Sequence, residues 1–520
     1  MIEPAASQLL EELMPPRFDG RDAGLEFCGK PLDVVRSQAR QEVFDLARHF
    51  TSRYRDTPYG SSGLASGQPL LLSGHQPELF HAGVWFKNFL LAGLAAQSGG
   101  VGINFLVDND LCRMSSIRVP AQEAGGGYVA KSVPFDTPRD AIPWELRRLG
   151  SAECWQQFPA SVKRVLLPEA EEPLLSELWG EAVSAVRSSD RLGLALAQAR
   201  HKLEEKIGLQ TLEVPLSHLV STRGFARFSI QLLSELPRFQ EIYNSQLEHY
   251  RLAHRIRSHA HPVPALEQEH GWLEAPLWIY RSAAPKRQRL WVRVLDNQLI
   301  LSDRAGWQAV IEGRLDCDNA ASQWLDLLAD GVCLRPRALL TTMYLRIMVS
   351  DLFIHGIGGG KYDQLTDAIV RKFFAIDPPP MAVATATLQL PLGEHADIHH
   401  LGETDEQRKA QRDRLWKLKY HAEQVDGQLN DEARLLAAKK QSLLEHIPPR
   451  GEKWEWHRQI TAVNRRLSEL TAEQQQQAKT QLEQLATQER YARVLFSREY
   501  SFCLYPLDFI AQQLSNLVTL

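Results

Sequence analysis

At 520 residues the chain is too long for one simple domain, and two or three folding units are expected. Its 44% hydrophobic and 23% charged residues are ordinary for a globular protein, and a net charge of -4 gives no reason to expect nucleic acid or an anionic membrane as partner. There is no run of 18 apolar residues to span a bilayer and no signal-peptide start at Met1-Ile2-Glu3-Pro4; six cysteines without a Cys-x-x-Cys pair argue against a zinc ribbon or a disulfide framework, so a cytoplasmic protein is expected.

Residues 1–60 read as a short acidic helix (Gln8 to Met14), a loop, and a longer helix from about Pro31 to Tyr54, with Ser61-Ser62-Gly63 as a flexible lead. The apolar run Leu70 to Leu72 suits a buried parallel strand, and Gly74 and Pro77 break it. From about Ala82, residues Val84, Phe86, Phe89, Leu90 and Leu94 recur at helical spacing. In an open α/β sheet, ligands bind beyond the carboxyl ends of the strands. This strand–loop–helix therefore makes His75 and His81 candidate catalytic residues, with Gly74, Gln76, Gly83, Lys87 and Asn88 binding a ligand or phosphate at a helix N-terminus. Paired histidines there suit phosphate binding or proton transfer near neutral pH. Equally, loop histidines are commonly solvated or hydrogen-bonded for structural reasons, and Lys87 could lie on the helix surface.

A second strand, Val101 to Val107, ends in Asp108-Asn109-Asp110 at the same edge. Asp108 and Asp110 could hold a metal, a ribose or an amine, or simply close a turn. Gly125 to Pro173 is weakly periodic and reads as an excursion from the core. A helix then runs from Leu174 to Ile207, with Gly180 and Gly193 as interruptions, followed by a strand from Leu212 to Val220 and a helix from Phe225 to about Ile256. Trp291 to Leu295 and Leu299 to Ser302 form a β-hairpin.

The second candidate site begins at Leu334-Arg335-Pro336. It continues through His355 to Gly358-Gly359-Gly360-Lys361, ahead of a helix from about Gln364 to Phe374. Three glycines between strand and helix let backbone amides approach an anion, and Lys361 adds charge; a tight turn is the alternative. Residues 403–495 change character. Leu415, Leu418, Ala422, Val425, Leu429, Leu436 and Leu443 step by three and four apart from the gaps at Glu432 and Lys439, Pro448-Pro449-Arg450-Gly451 breaks the run, and Trp456, Ile460, Val463, Leu467 and Leu470 resume it. That pattern predicts an antiparallel coiled-coil hairpin with Leu436 level with Val463. Trp416, Leu435 and Trp454 lie off the seam and predict a homodimer through this segment. Residues 496–520 should pack back on the core.

Four stretches carry a family resemblance: Gly74-His75-Gln76-Pro77-Glu78-Leu79-Phe80, Phe105 to Asp110, Leu334 to Gly360, and the coiled coil with Arg498 to Pro506. Together they resemble the bacillithiol-biosynthesis cysteine-adding enzymes (BshC). The resemblance implies an α/β fold with a Rossmann-like, nucleotidylyltransferase-related parallel-sheet core over 61–392, a connecting insertion at about 125–210, and a dimer-forming coiled coil. It implies a ligase that joins cysteine or a similar amino compound to an amino sugar or other small-molecule acceptor, with a nucleotide (ATP or ADP) in the crevice and the metal requirement open. Arg335, His355 and the glycine triplet would serve as ligand-binding residues. The family's Glu-Asp-His-Asp is here Val107-Asp108-Asn109-Asp110, and His75 and His81 are additional, which points to a changed substrate. A nucleotidyltransferase and a non-catalytic scaffold with a degenerate core are the alternatives. No nucleic-acid or membrane partner is expected.

Overall fold

The computed structural model describes residues 1–13, 25–57, 59–60, 63–392, 404–421 and 430–518. Met14, Ser61, Ser62, Ala422, Val425 and Leu429 lie outside them. A six-stranded sheet organises the chain, built from β1 (Ile2–Glu3), β2 (Leu70–His75), β3 (Val101–Leu106), β4 (Leu212–Pro215), β5 (Leu352–His355) and β6 (Met381–Ala384). The spatial order is β1-β6-β5-β2-β3-β4, parallel throughout except for β1 at one edge. From β2 the chain steps outward through β3 and β4, then returns to place β5 on the other side of β2. The direction of winding therefore reverses between β2 and β5.

Both faces of this sheet are covered, as parallel sheets require. Leu70, Leu72, Ile103 and Val214 face a core shared with helix Leu32–Thr51, whereas Leu71 and Ile354 face helix α1 (Ala82–Ser98). The continuous apolar runs of these strands follow from that double burial. The first strand continues past Leu72 because Ser73, Gly74 and His75 pair with Asn104, Phe105 and Leu106. Gly74 suits that pairing, since a Cβ on it would stand 3.3 Å from the Phe105 carbonyl oxygen. Helix α1 ends at Gly99, whose φ of 63° is the left-handed cap that glycine adopts without penalty.

Several elements differ from the sequence expectation for local reasons. The long helix expected over Leu174 to Ile207 is two, Leu175–Ser189 and Leu192–Lys206. The break falls at Asp190, with φ of 51°, whereas Gly180 lies inside a helix with open space around it. Helices Arg223–Ser234 and Leu236–Ala253 part at Glu235, just before Pro237. The excursion after Gly125 contains ordered structure: strand Tyr128–Pro134, which pairs with Ser116–Gln122 just before it, and helix Ala152–Val165. The strand expected to reach Val220 stops at Pro215 and becomes a short helix, Leu216–Leu219.

The expected Trp291 hairpin is present, with Trp291 opposite Ser302 and Val294 opposite Leu299. It belongs to a second, antiparallel sheet that includes Trp272–Arg281 and Val332–Pro336. One disulfide, Cys28 to Cys317, spans 289 residues with Cα atoms 5.6 Å apart. The cysteine spacing, which argued against a disulfide framework, did not indicate this single pair, because sequence distance says nothing about proximity across a folded core.

Beyond the core, helix Thr404–Tyr420 packs along Ala472–Leu495, and Asp431–Glu445 along Trp454–Leu470. Ala433, Val463 and Leu467 are buried between the latter two, with Leu436, Leu443 and Leu470 against them. Among the described residues no helix is long and apolar enough to cross a membrane.

Candidate functional site

A cavity of about 440 Å³ opens at the carboxyl ends of β2, β3, β5 and β6, at the point where the winding reverses. Such a crevice is where open α/β sheets place their ligands. Two helix N-termini meet in it. Gly83 and Val84 come from the first turn of α1, and Gly356 to Gly359 from the start of α2 (Ile357–Phe373). The helix dipole is positive at each N-terminus and favours an anion. At α1 the Gly83 and Val84 amides are already taken by the His81 ring and carbonyl, so that terminus contributes its dipole alone.

The glycine triplet is not the loop expected from sequence. It forms the opening turn of α2, with the Gly360 amide already bonded to the Gly356 carbonyl at 3.0 Å. The glycines let this turn sit against the sheet. A Cβ on Gly360 would stand 2.3 Å from Val383 Cγ2, and one on Gly359 would stand 2.8 Å from His355 Nδ1.

Of the sequence-derived candidates, Gly74, His75, Gln76, His81, Gly83, Lys87, His355, Gly358 and Gly359 line the cavity. Their chemistry is unequal. His75 is 3% exposed, with Nδ1 bonded to the Gln76 carbonyl (3.0 Å) and Nε2 to the Asn104 side-chain amide (2.8 Å). Both ring nitrogens are committed, and burial, with Arg200 and Lys87 nearby, holds the ring well below the usual histidine range. His75 is thus a neutral structural group rather than a proton carrier. His81 caps α1, its Nδ1 accepting from the Gly83 amide at 3.1 Å, and burial lowers its pKa as well. Lys87 donates to the Gly74 carbonyl. Burial first, then Arg200, brings its pKa down to about 8.

His355 is placed differently. Its Nε2 lies 2.8 Å from Asp363 Oδ2, and Nδ1 has no hydrogen-bond partner among the described residues. Asp363 also accepts from Thr342 Oγ1 (2.7 Å) and Arg346 Nη1 (2.8 Å). Burial pushes this carboxyl up, but the hydrogen bonds from His355 and Thr342 and the charge of Arg346 outweigh it and hold Asp363 well below the ordinary carboxylate range. An ionised Asp363 fixes the Nε2–H tautomer and leaves the Nδ1 lone pair beside Gly359, at the cavity wall. Neither Asp363 nor Thr342 was singled out from sequence. No short motif joins them to His355; helix α2 brings Asp363 back two turns later.

The remaining candidates are not at this cavity. Asn88 is buried and donates to Glu204 Oε1 (2.7 Å), which Trp85 and Arg200 also bind. Arg200 bridges Glu204 and Glu213, and Glu213 is raised to about 7 by burial. His201, Glu204 and Glu213 are close enough to hold a metal ion, but the Arg200 guanidinium already supplies the positive charge between the two carboxylates. Asp108 accepts from the Ser217 amide (2.9 Å) and hydroxyl, and burial plus Glu145 raise it to about 7. Asp110 accepts from Gln76 Nε2 (3.2 Å) and pairs with Arg287 (3.2 Å). Arg335, on the second sheet, grips both oxygens of Glu145 at 2.8 Å. Gly360 faces Val383, and Lys361 is exposed on α2.

A comparison with protein-family models and with curated proteins finds no match to this chain.

Arg498 completes the cavity wall. It arrives from the far end of the chain, where Ser501 bridges to His81 and the Phe502 amide donates to the Phe80 carbonyl at 2.9 Å. Arg498 is paired with the adjacent Glu499 at 3.1 Å, so the arrangement offers an anion two positive helix ends, Lys87 and a partly neutralised Arg498, with the His355 Nδ1 lone pair beside them.

Proposed function

We propose that this cavity is the active site of a ligase of the bacillithiol cysteine-adding type, on a Rossmann-like core with a nucleotide or other phosphorylated ligand, ATP or ADP, across the switch point. The observation that carries this reading is the convergence of two helix N-termini, Lys87 and Arg498 on one cavity of about 440 Å³, within the size range of small-molecule sites. His355 is the base. It takes the proton that the amino group of an amino sugar or other small acceptor releases as it attacks the carboxyl carbon of cysteine or a similar amino compound, activated by ATP as an acyl phosphate. The C–N bond forms as the C–O bond breaks, phosphate leaves with the electron pair, and Asp363 stabilises the imidazolium. The sequence resemblance suggests the substrate class; the helix ends and His355 at the cavity support an anion site and a base.

The test is binding of ADP and ATP to the full chain by calorimetry and thermal shift, alone and with cysteine and amino-sugar conjugates. A ligand at 100 times its dissociation constant adds about 2.7 kcal/mol to stability. Absence of any shift with all of these overturns the reading. Nucleotidyl transfer uses the same anion geometry, and pyrophosphate released from ATP marks it. If His355→Asn leaves a dependent cell unchanged, a scaffold role is favoured.

The helices after residue 403 are read as an antiparallel coiled-coil arm that forms a homodimer. Trp416, Leu435 and Trp454 are 53%, 74% and 72% exposed on it, more apolar surface than a solvated arm needs. Light scattering on the full chain and on a version lacking residues 403–495 decides. A monomer at micromolar concentration, or a dimer that survives the deletion, refutes this assembly.

A further inference from the structure

A second cavity, of about 310 Å³, shares no lining residue with the first. It lies against the hairpin Ser116–Gln122 with Tyr128–Pro134, and Arg113, Arg139, Arg147, Ser115, Ser116 and Ser132 form much of its wall. No carboxylate is among its lining residues. Of the acids near these residues in sequence, Asp140 is exposed next to Arg139, Glu145 pairs with Arg335, and Asp136 is already committed. Its Oδ1 accepts from the Gly150 and Ser151 amides (2.8 and 2.9 Å), and its Oδ2 from Arg147 (3.1 Å). Arg113 and Arg139 are exposed and form no salt bridge among the described residues. Arg147 is 2% exposed, yet its Nε–H has no hydrogen-bond partner, an unused donor on a buried guanidinium.

We infer that this cavity is a binding site for a compact oxyanion, a small molecule that presents a phosphate or carboxylate group. Three guanidinium groups and no carboxylate line this concave wall, and although Asp136, Asp140 and Glu78 behind it offset part of their charge, the wall itself presents only cationic and neutral groups to a ligand. Guanidinium donors match phosphate and carboxylate geometry in pairs. The serine hydroxyls, of which Ser132 donates to Ser116 at 2.8 Å, supply further donors around the same space. The volume fits a small acid rather than a nucleotide. Nothing in this inference depends on the ligand of the first cavity.

The experiment titrates inorganic phosphate and, separately, succinate into the full chain by calorimetry, with ADP measured in parallel. Saturable one-site binding of at least one probe is expected, and the tighter probe names the anion source. Arg113→Ser with Arg139→Ser should weaken it tenfold or more, leaving ADP affinity and the melting temperature without ligand unchanged. Both residues are exposed and outside the core, so the double variant should fold. Arg113→Lys with Arg139→Lys should retain part of the affinity. Absence of saturable binding with both probes, or an unchanged affinity in the double serine variant, overturns the site whatever the ADP result.

Discussion

Alanine substitutions along the glycine triplet separate the two ways of reading residues 358–360. As the opening turn of α2, none of the three has a φ in the left-handed region, so alanine is conformationally permitted at each. A Cβ on Gly358 would meet nothing within 4 Å. Replacing glycine by alanine inside a helix gains about 1 kcal/mol, and near an end roughly half to all of that, so Gly358→Ala should stabilise by about 0.5–1 kcal/mol. Gly360 differs, because its Cβ would stand 2.3 Å from Val383 Cγ2, on a β-branched side chain that is stiff at χ1. Overpacking of that kind costs about 1–3 kcal/mol, which outweighs the helix gain and leaves a net loss of roughly 0.5–2 kcal/mol. Two identical substitutions within one turn should thus move stability in opposite directions. Urea midpoints of the two variants and the parent measure this directly. A destabilised Gly358→Ala, or a Gly360→Ala as stable as Gly358→Ala, refutes the helical placement and restores the irregular anion-binding loop.

Burial brings the Lys87 pKa down to about 8 from the ordinary lysine value of 10.5. The fold disfavours its charged form, so its contribution to stability rises with pH from about 8 towards 10.5, on the order of 3 kcal/mol at 1.36 kcal/mol per unit. Lys87→Met should flatten that rise, and affinity for ADP in the parent should fall as pH passes 8; a pH-independent difference between the two proteins contradicts this. Arg335→Met leaves the Glu145 carboxylate with the Tyr280 hydroxyl but without its cation and should cost about 3–5 kcal/mol by urea denaturation, whereas a loss below about 1 kcal/mol would mean the pair is solvated. Reduction of Cys28–Cys317, or Cys28→Ser, should cost roughly 2–5 kcal/mol, since the bridge closes a loop across 289 residues; an unchanged melting temperature in reductant would speak against the bond.

The local pattern of the chain determined the element types around the first cavity. The apolar run at Leu70, the Gly-Pro punctuation after it and the helical spacing from Ala82 act between near neighbours, and they appear as β2, the loop and α1. The hairpin from Trp291 and the helical character after residue 403 were legible for the same reason. Which polar side chains face a ligand was decided by tertiary structure alone. His75 and His355 both end strands of one sheet, but Asn104 and Gln76 occupy both nitrogens of the first. Asp363 takes one nitrogen of the second and leaves the other at the cavity. Arg335 was read beside the glycine turn and is instead held on the second sheet by Glu145, 190 residues earlier. Arg498 reaches the cavity from the other end of the chain. Periodicity records how a residue sits on its own helix or strand; the hydrogen-bond and charge partners that set its chemistry come from elements far away in sequence, and only their packing brings them within 3 Å.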